Sequence, residues 1–157
     1  MKLRTIAVFM AAIMLFVFSG TVFAAEKAER AWPESVDKYV AAAKKSVTVI
    51  DMAAFKKIAA SKGDAVLLDV REPDEFKAGH VTAAVNVPRG LVEFRIWKTV
   101  LGYPAKTDFK KKIYVYCALG GRAILSAKSL KDLGFTNVTA VDMKFADWIK
   151  AGNPVER

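Results

Sequence analysis

Residues Ile113–Leu130 read IYVYCALGGRAILSAKSL and hold the only cysteine of a 157-residue chain. Lys112–Tyr116 predicts a buried strand, because β-branched and aromatic residues crowd its end. Ala123–Leu133 predicts a helix that Gly134 closes. Between them lie Cys117, Gly120, Gly121 and Arg122. The stretch is a strand, a tight loop and a helix, and the single thiol stands at the junction.

The same alternation extends to both sides. Ser46–Ile50 predicts a short strand, and Asp51 is a fair N-cap for a helix over Met52–Ser61 that Gly63 ends. Ala65–Val70 (AVLLDV) is the near-continuous apolar run of a strand buried on both faces. REPDEFKAGH, residues 71–80, is polar and turn-rich, with one helical turn around Asp74–Lys77. Ala84–Val87 reads as a brief strand stopped by Pro88, and Leu91–Leu101 has helical spacing. Asn137–Val141 predicts a strand and Phe145–Ala151 a last helix. Strands alternating with helices predict a small α/β domain, its mainly parallel sheet flanked by helices on both faces.

The N-terminus carries a different signal. Lys2 and Arg4 precede an unbroken apolar run from Ile6 to Phe18, and Val22 and Ala24 put small residues at the positions a signal peptidase reads. The run covers about 20 Å at ~1.5 Å per residue, short of the ~30 Å hydrocarbon core. The expectation is a cleaved signal peptide at 1–24, export to the periplasm, and no stable membrane anchor after cleavage. Residues 25–46 predict an amphipathic helical extension, with Trp32, Val36, Tyr39 and Val40 at helical spacing after Pro33. Residues 47–157 form the domain. Net charge is +9, but the lysines fall in short groups without interleaved aromatics. That argues against nucleic acid and for a solvated basic surface.

An exported protein works where cysteines usually pair. A lone Cys117 has no internal partner, which raises the weight of a chemical role over an inert buried one. In a parallel α/β sheet, ligands bind beyond the carboxyl ends of the strands. A loop that curls its N–H groups inward onto a helix N-terminus makes an anion pocket. Gly120 and Gly121 permit such a curl, and Arg122 is expected to add a cation suited to oxyanions. These surroundings favour the thiolate, the species that attacks.

LDVREPDEFKAGHVTAAVNVP, residues 68–88, resembles the signature of the rhodanese family: Asp-Val-Arg, Glu-Phe, Gly-His and Asn-Val-Pro in order. CALGGR is similar to that family's cysteine-x-x-glycine-x-arginine loop, and FTNVTAVDMKFADWIKAGNPVE to its final strand and helix. The resemblance implies a thiosulfate sulfurtransferase that forms a persulfide on Cys117, cradled by the amides of Ala118, Leu119, Gly120, Gly121 and Arg122. It implies a small anionic sulfur donor, a thiol or cyanide acceptor, and neither a metal nor an organic cofactor. A persulfide carrier serving a partner protein is the alternative. The phosphatase branch of the fold places five residues between cysteine and arginine; here there are four, which suits a sulfur atom better than a phosphate.

The remaining motif residues are expected to be structural. Asp69 and Arg71 should form a loop-bracing ion pair, Glu75 and Phe76 a packing turn, and His80 a hydrogen bond to backbone. Trp97, Phe94 and Tyr103 are expected in the core or at the cleft rim. Two departures stand out. Met143-Lys144 replaces a Gly-Gly pair and is expected to narrow the cleft and add a cation. Ala83-Ala84 stands where Gly-Ala is usual.

Overall fold

The apolar runs pair side by side into one parallel sheet. The computed structural model describes residues 32–104 and 108–157. The expected signal peptide at 1–24 and residues 25–31 of the extension lie outside the described residues. In chain order the elements are α1 (Glu34–Lys44), β1 (Thr48–Asp51), α2 (Met52–Ala60), β2 (Val66–Asp69) and α3 (Pro73–Ala78). Then come β3 (His80–Val81), β4 (Ala84–Asn86), α4 (Val92–Ile96), β5 (Ile113–Tyr116) and α5 (Gly121–Asp132), followed by β6 (Val138–Asp142), α6 (Phe145–Lys150) and β7 (Val155–Glu156). The main sheet has the order β1-β6-β5-β2-β4, and every neighbouring pair is parallel.

Residue parity along the strands builds two cores. Leu68, Ile113, Val115 and Ala140 face one layer, where they meet Ala43 of α1, Ile96 of α4 and Ala127 and Leu130 of α5. Leu67, Tyr116 and Val141 face the other, against Phe55 of α2 and Phe145 and Trp148 of α6. Successive strand side chains point to opposite faces, so a run apolar at every position needs cover on both. The α/β architecture with helices on both faces is as expected.

Asp51 caps α2 as its sequence position suggests, accepting a hydrogen bond from the Ala54 N–H at 2.8 Å. Leu91–Leu101 is not one helix. A 3₁₀ turn at Arg89–Leu91 leads into α4, and a π-helical turn at Trp97–Leu101 follows. The Trp97 indole N–H donates to the Glu93 carbonyl at 2.8 Å. It competes for the acceptor that an α-helix offers to the Trp97 amide, where the ladder widens.

A second, antiparallel ribbon pairs β3 with β7 and has no sequence signal, because each strand is two residues long. The Val81 N–H donates to the Tyr116 hydroxyl at 3.0 Å and ties this ribbon to the end of β5. Ala83, beside the ribbon, has φ +59°. That left-handed conformation explains why glycine suits this position, and alanine holds it at a cost of about 1 kcal/mol.

Candidate active site

Cys117 follows β5 directly and keeps the parity of Ile113 and Val115, which turns it to the α1/α5 side of the sheet. Its residue is 1% exposed, and the thiol is free. Three devices shape the loop after it. The Ala118 carbonyl accepts the Phe145 N–H at 2.9 Å, which fastens the loop to α6. Gly120 adopts φ +85°, and the first bond of α5 runs from the Ile124 N–H to the Gly120 carbonyl at 3.0 Å. The amides of Gly121, Arg122 and Ala123 therefore have no intrahelical acceptor, and the positive end of α5 lies beside the thiol.

Gly120 is fixed by contact as well as by conformation. A Cβ there would lie 2.6 Å from Asp142 Oδ1. Gly120→Ala is expected to lower stability by about 1–2 kcal/mol and to slow chemistry at Cys117 at least about tenfold, since the loop must uncurl or displace Asp142. Urea unfolding and the alkylation rate of Cys117 by iodoacetamide check it; parent-like values in both would refute the assignment.

Arg122 lines the cavity beside Cys117 and has a partner that the sequence reading did not name. Its guanidinium is not an open cation but a fork on Glu75, with Nη1 2.7 Å from Oε2 and Nη2 2.9 Å from Oε1. Glu72 stands 3.9 Å away. The Glu75 carboxylate also accepts the Glu72 N–H at 3.0 Å, closing a capping box on α3. The bond to Arg122 holds the Glu75 carboxyl below its usual range, against the opposing effect of burial. The Arg122 pKa is raised chiefly by the same bond, and the charge at Cys117 adds to it. Arg122 is thus held by Glu75 within electrostatic reach of Cys117. The sequence reading took Glu75 for packing alone; its spacing from Glu72 signals the cap but not a partner 47 residues away.

Asp69 and Arg71 form the expected ion pair below the site. Arg71 Nη2 lies 2.7 Å from Asp69 Oδ2 and donates to the Gly79 carbonyl, also at 2.7 Å. The guanidinium stacks 4.0 Å from the centre of the Phe145 ring. Asn86 Nδ2 donates to the carbonyls of Asp69 and Arg71, which locks the loop between β2 and α3. His80 Nδ1 donates to the Phe76 carbonyl at 3.0 Å, and its ring stacks on Phe76. It does not line the cavity over Cys117.

That cavity, about 610 Å³, has Cys117, Ala118, Leu119, Gly121 and Arg122 on one side and α1 on the other. The N-terminal helix thus forms one wall of this cavity. Met143 and Lys144 do not act as expected. Met143 turns into the core and Lys144 is absent from the lining, while Asp142 lines the rim and accepts a hydrogen bond from Lys44 of α1. Phe94, Trp97 and Tyr103 border a separate hollow with Lys98 and Phe109.

Residues 51–151 match the family described as Rhodanese-like domain. The chain belongs to the rhodanese-like domain family. A thiosulfate:glutathione sulfurtransferase of Saccharomyces cerevisiae is 31% identical over 93 residues, covering 55% of this chain and 66% of that one. The polysulfide-sulfur transferase homodimer of Wolinella succinogenes superposes with a TM-score of 0.63 at 27% identity, over 78% of this chain and 87% of that one. A Rhodopseudomonas palustris protein of unknown function, described as a possible tyrosine phosphatase, gives 0.67 at 27%, over 82% of this chain and 98% of that one. The chain spans 62%, 51% and 51% of the length of three other curated relatives. Sulfurtransferases are thus among the relatives of this rhodanese-like domain, and α1 precedes the matched residues.

Proposed function

We propose that the protein is a sulfurtransferase that moves sulfane sulfur from thiosulfate or a similar donor to a thiol or cyanide through a persulfide on Cys117. The observation that carries this reading is a free cysteine on the floor of a cavity, against the N-terminus of α5. The Cys117 thiolate attacks the outer sulfur of thiosulfate. A new S–S bond forms, the old one breaks, and sulfite leaves with its electron pair. The persulfide anion keeps the negative charge, which the amides of the loop and of the first turn of α5 stabilise. Cyanide or a thiolate then attacks the outer sulfur and leaves Cys117 as the thiolate again. Neither step calls for a proton shuttle or a cofactor, which accords with His80 lying outside the cavity lining.

Loop length supports sulfur over phosphoryl transfer, since Cys117–Arg122 closes with four residues between cysteine and arginine. The proposal extends to location: residues 1–24 act as a signal peptide and place the enzyme in the periplasm. The test is intact mass after thiosulfate and again after cyanide. One sulfur should be gained and then released as thiocyanate. An adduct that cyanide does not discharge would favour a persulfide carrier, and an unchanged mass would overturn the reading.

A further inference from the structure

The end of the sheet away from Cys117 carries a second feature. Cys117 follows the last residue of β5, whereas Phe109 precedes the first. Phe109 lies over the turn before β6, where a Cβ on Gly134 would meet its ring at 3.6 Å. Here Phe94, Trp97, Lys98, Tyr103 and Phe109 border the hollow described above. Its rings are rooted in the core. Trp97 packs on the buried Phe135 with centroids 5.5 Å apart, and Phe109 packs on both, at 5.9 and 5.4 Å. Phe94 is 79% exposed, the most of any large apolar side chain among the described residues, and Tyr103 and Phe109 are exposed with it. A lone exposed ring is ordinary, but three around one hollow mark a surface that meets something.

Cations accompany these rings. Arg95 and Lys98 are exposed along the same helical stretch as Phe94, and Lys110 follows Phe109. None of the three has a side-chain partner among the described residues. The carboxylates close to them in sequence are engaged: Glu93 holds Arg89 at 2.9 Å, and Asp108 accepts the Lys110 N–H at 2.9 Å. The lysine groups of the sequence have no interleaved aromatics, and the fold supplies them. We infer that this patch docks the protein reversibly on an anionic lipid bilayer, with the rings at headgroup level and the cations on the lipid phosphates. Aromatic rings and cations both gain at that boundary. A second copy of the chain fits worse, because a two-fold contact would set Arg95 and Lys98 against their own kind. The cavity over Cys117, at the other end of β5, stays open to solution in this orientation.

The test is co-sedimentation of residues 25–157, which contain the whole described fold and omit the apolar run Ile6–Phe18. Vesicles of phosphatidylcholine alone are compared with equimolar phosphatidylcholine and phosphatidylglycerol. Binding to the anionic vesicles is expected to be at least about tenfold tighter, and to fall at least about tenfold when salt is raised to about 0.5 M. Phe94→Ser should weaken it at least about fivefold. Arg95→Gln combined with Lys98→Gln should weaken it at least about tenfold. All three side chains are exposed, so the urea midpoints should stay at the parent value. Tyr103→Ser, also at an exposed ring, gives a second reading if Phe94→Ser fails to fold. Lys56→Gln combined with Lys57→Gln removes the same charge from α2, on the other face of the sheet, and should cost less than about twofold. Equal losses from the two double variants, parent-like binding by the folded ring variant, or no preference for anionic vesicles overturns the inference. So does retention on single-stranded RNA without vesicle binding, which would assign the patch to nucleic acid. The inference does not rest on the sulfurtransferase reading, and none of these outcomes bears on Cys117.

Discussion

Cys117→Ala abolishes sulfur loading and lowers thiocyanate formation at least about a thousandfold. The magnitude follows from the chain's having one cysteine, so no second thiol can take the sulfur. It also follows from where that thiol sits, lining the cavity just before the N-terminus of α5. Alanine fits the space without burying a new polar group, so the variant should fold. Cys117→Ser tests the chemistry more strictly, because the hydroxyl keeps the hydrogen-bonding capacity but is not ionised near neutral pH. Both should show the parent far-UV spectrum and no mass gain with thiosulfate. Sulfur loading that persists in either variant would rule out the persulfide on Cys117.

Asp69→Ala is expected to destabilise the domain by about 3–5 kcal/mol. That is a large part of the roughly 5–15 kcal/mol that holds a domain of this size together. Asp69 is fully buried and Arg71 is 4% exposed, so removing the carboxylate strands a guanidinium that water cannot reach. Arg71 would keep its bond to the Gly79 carbonyl and its stacking on Phe145. These do not balance the charge. Asp69→Leu combined with Arg71→Met should lose less than Asp69→Ala alone, since no unpaired charge remains. Urea midpoints at unchanged slope measure both. A single-variant loss under about 1 kcal/mol would show that the pair is solvated in solution.

Much of this protein was legible because burial pattern is local. AVLLDV at 65–70 and IYVY at 113–116 show strands covered on both faces, and parity along β5 places Cys117 with Ile113 and Val115 on the α1/α5 side. The strand-to-helix junction at Cys117, the glycine turn and the pairing of Asp69 with Arg71, two residues apart, all lie within single stretches of sequence. Boundaries moved by a residue or two where end residues can fray either way. Leu91–Leu101 is helical as its spacing suggests, but the spacing does not reveal the change to a π turn at Trp97, whose side chain takes a backbone acceptor of its own helix.

Contacts between distant segments could not be read this way. Glu75 clamps Arg122 across 47 residues and Lys44 meets Asp142 across 98. Gly120 is pinned under the carboxylate of Asp142 from another strand. The order β1-β6-β5-β2-β4 brings these segments together, and no periodicity in one segment encodes its neighbour in the sheet. The sequence by itself thus determined the layers, the faces and the position of the thiol, since near neighbours dictate each of them. Only the tertiary structure decided that Arg122 is paired with Glu75, that Met143 turns inward, and that α1 walls the cavity over Cys117. Those outcomes depend on which surfaces meet when the sheet assembles.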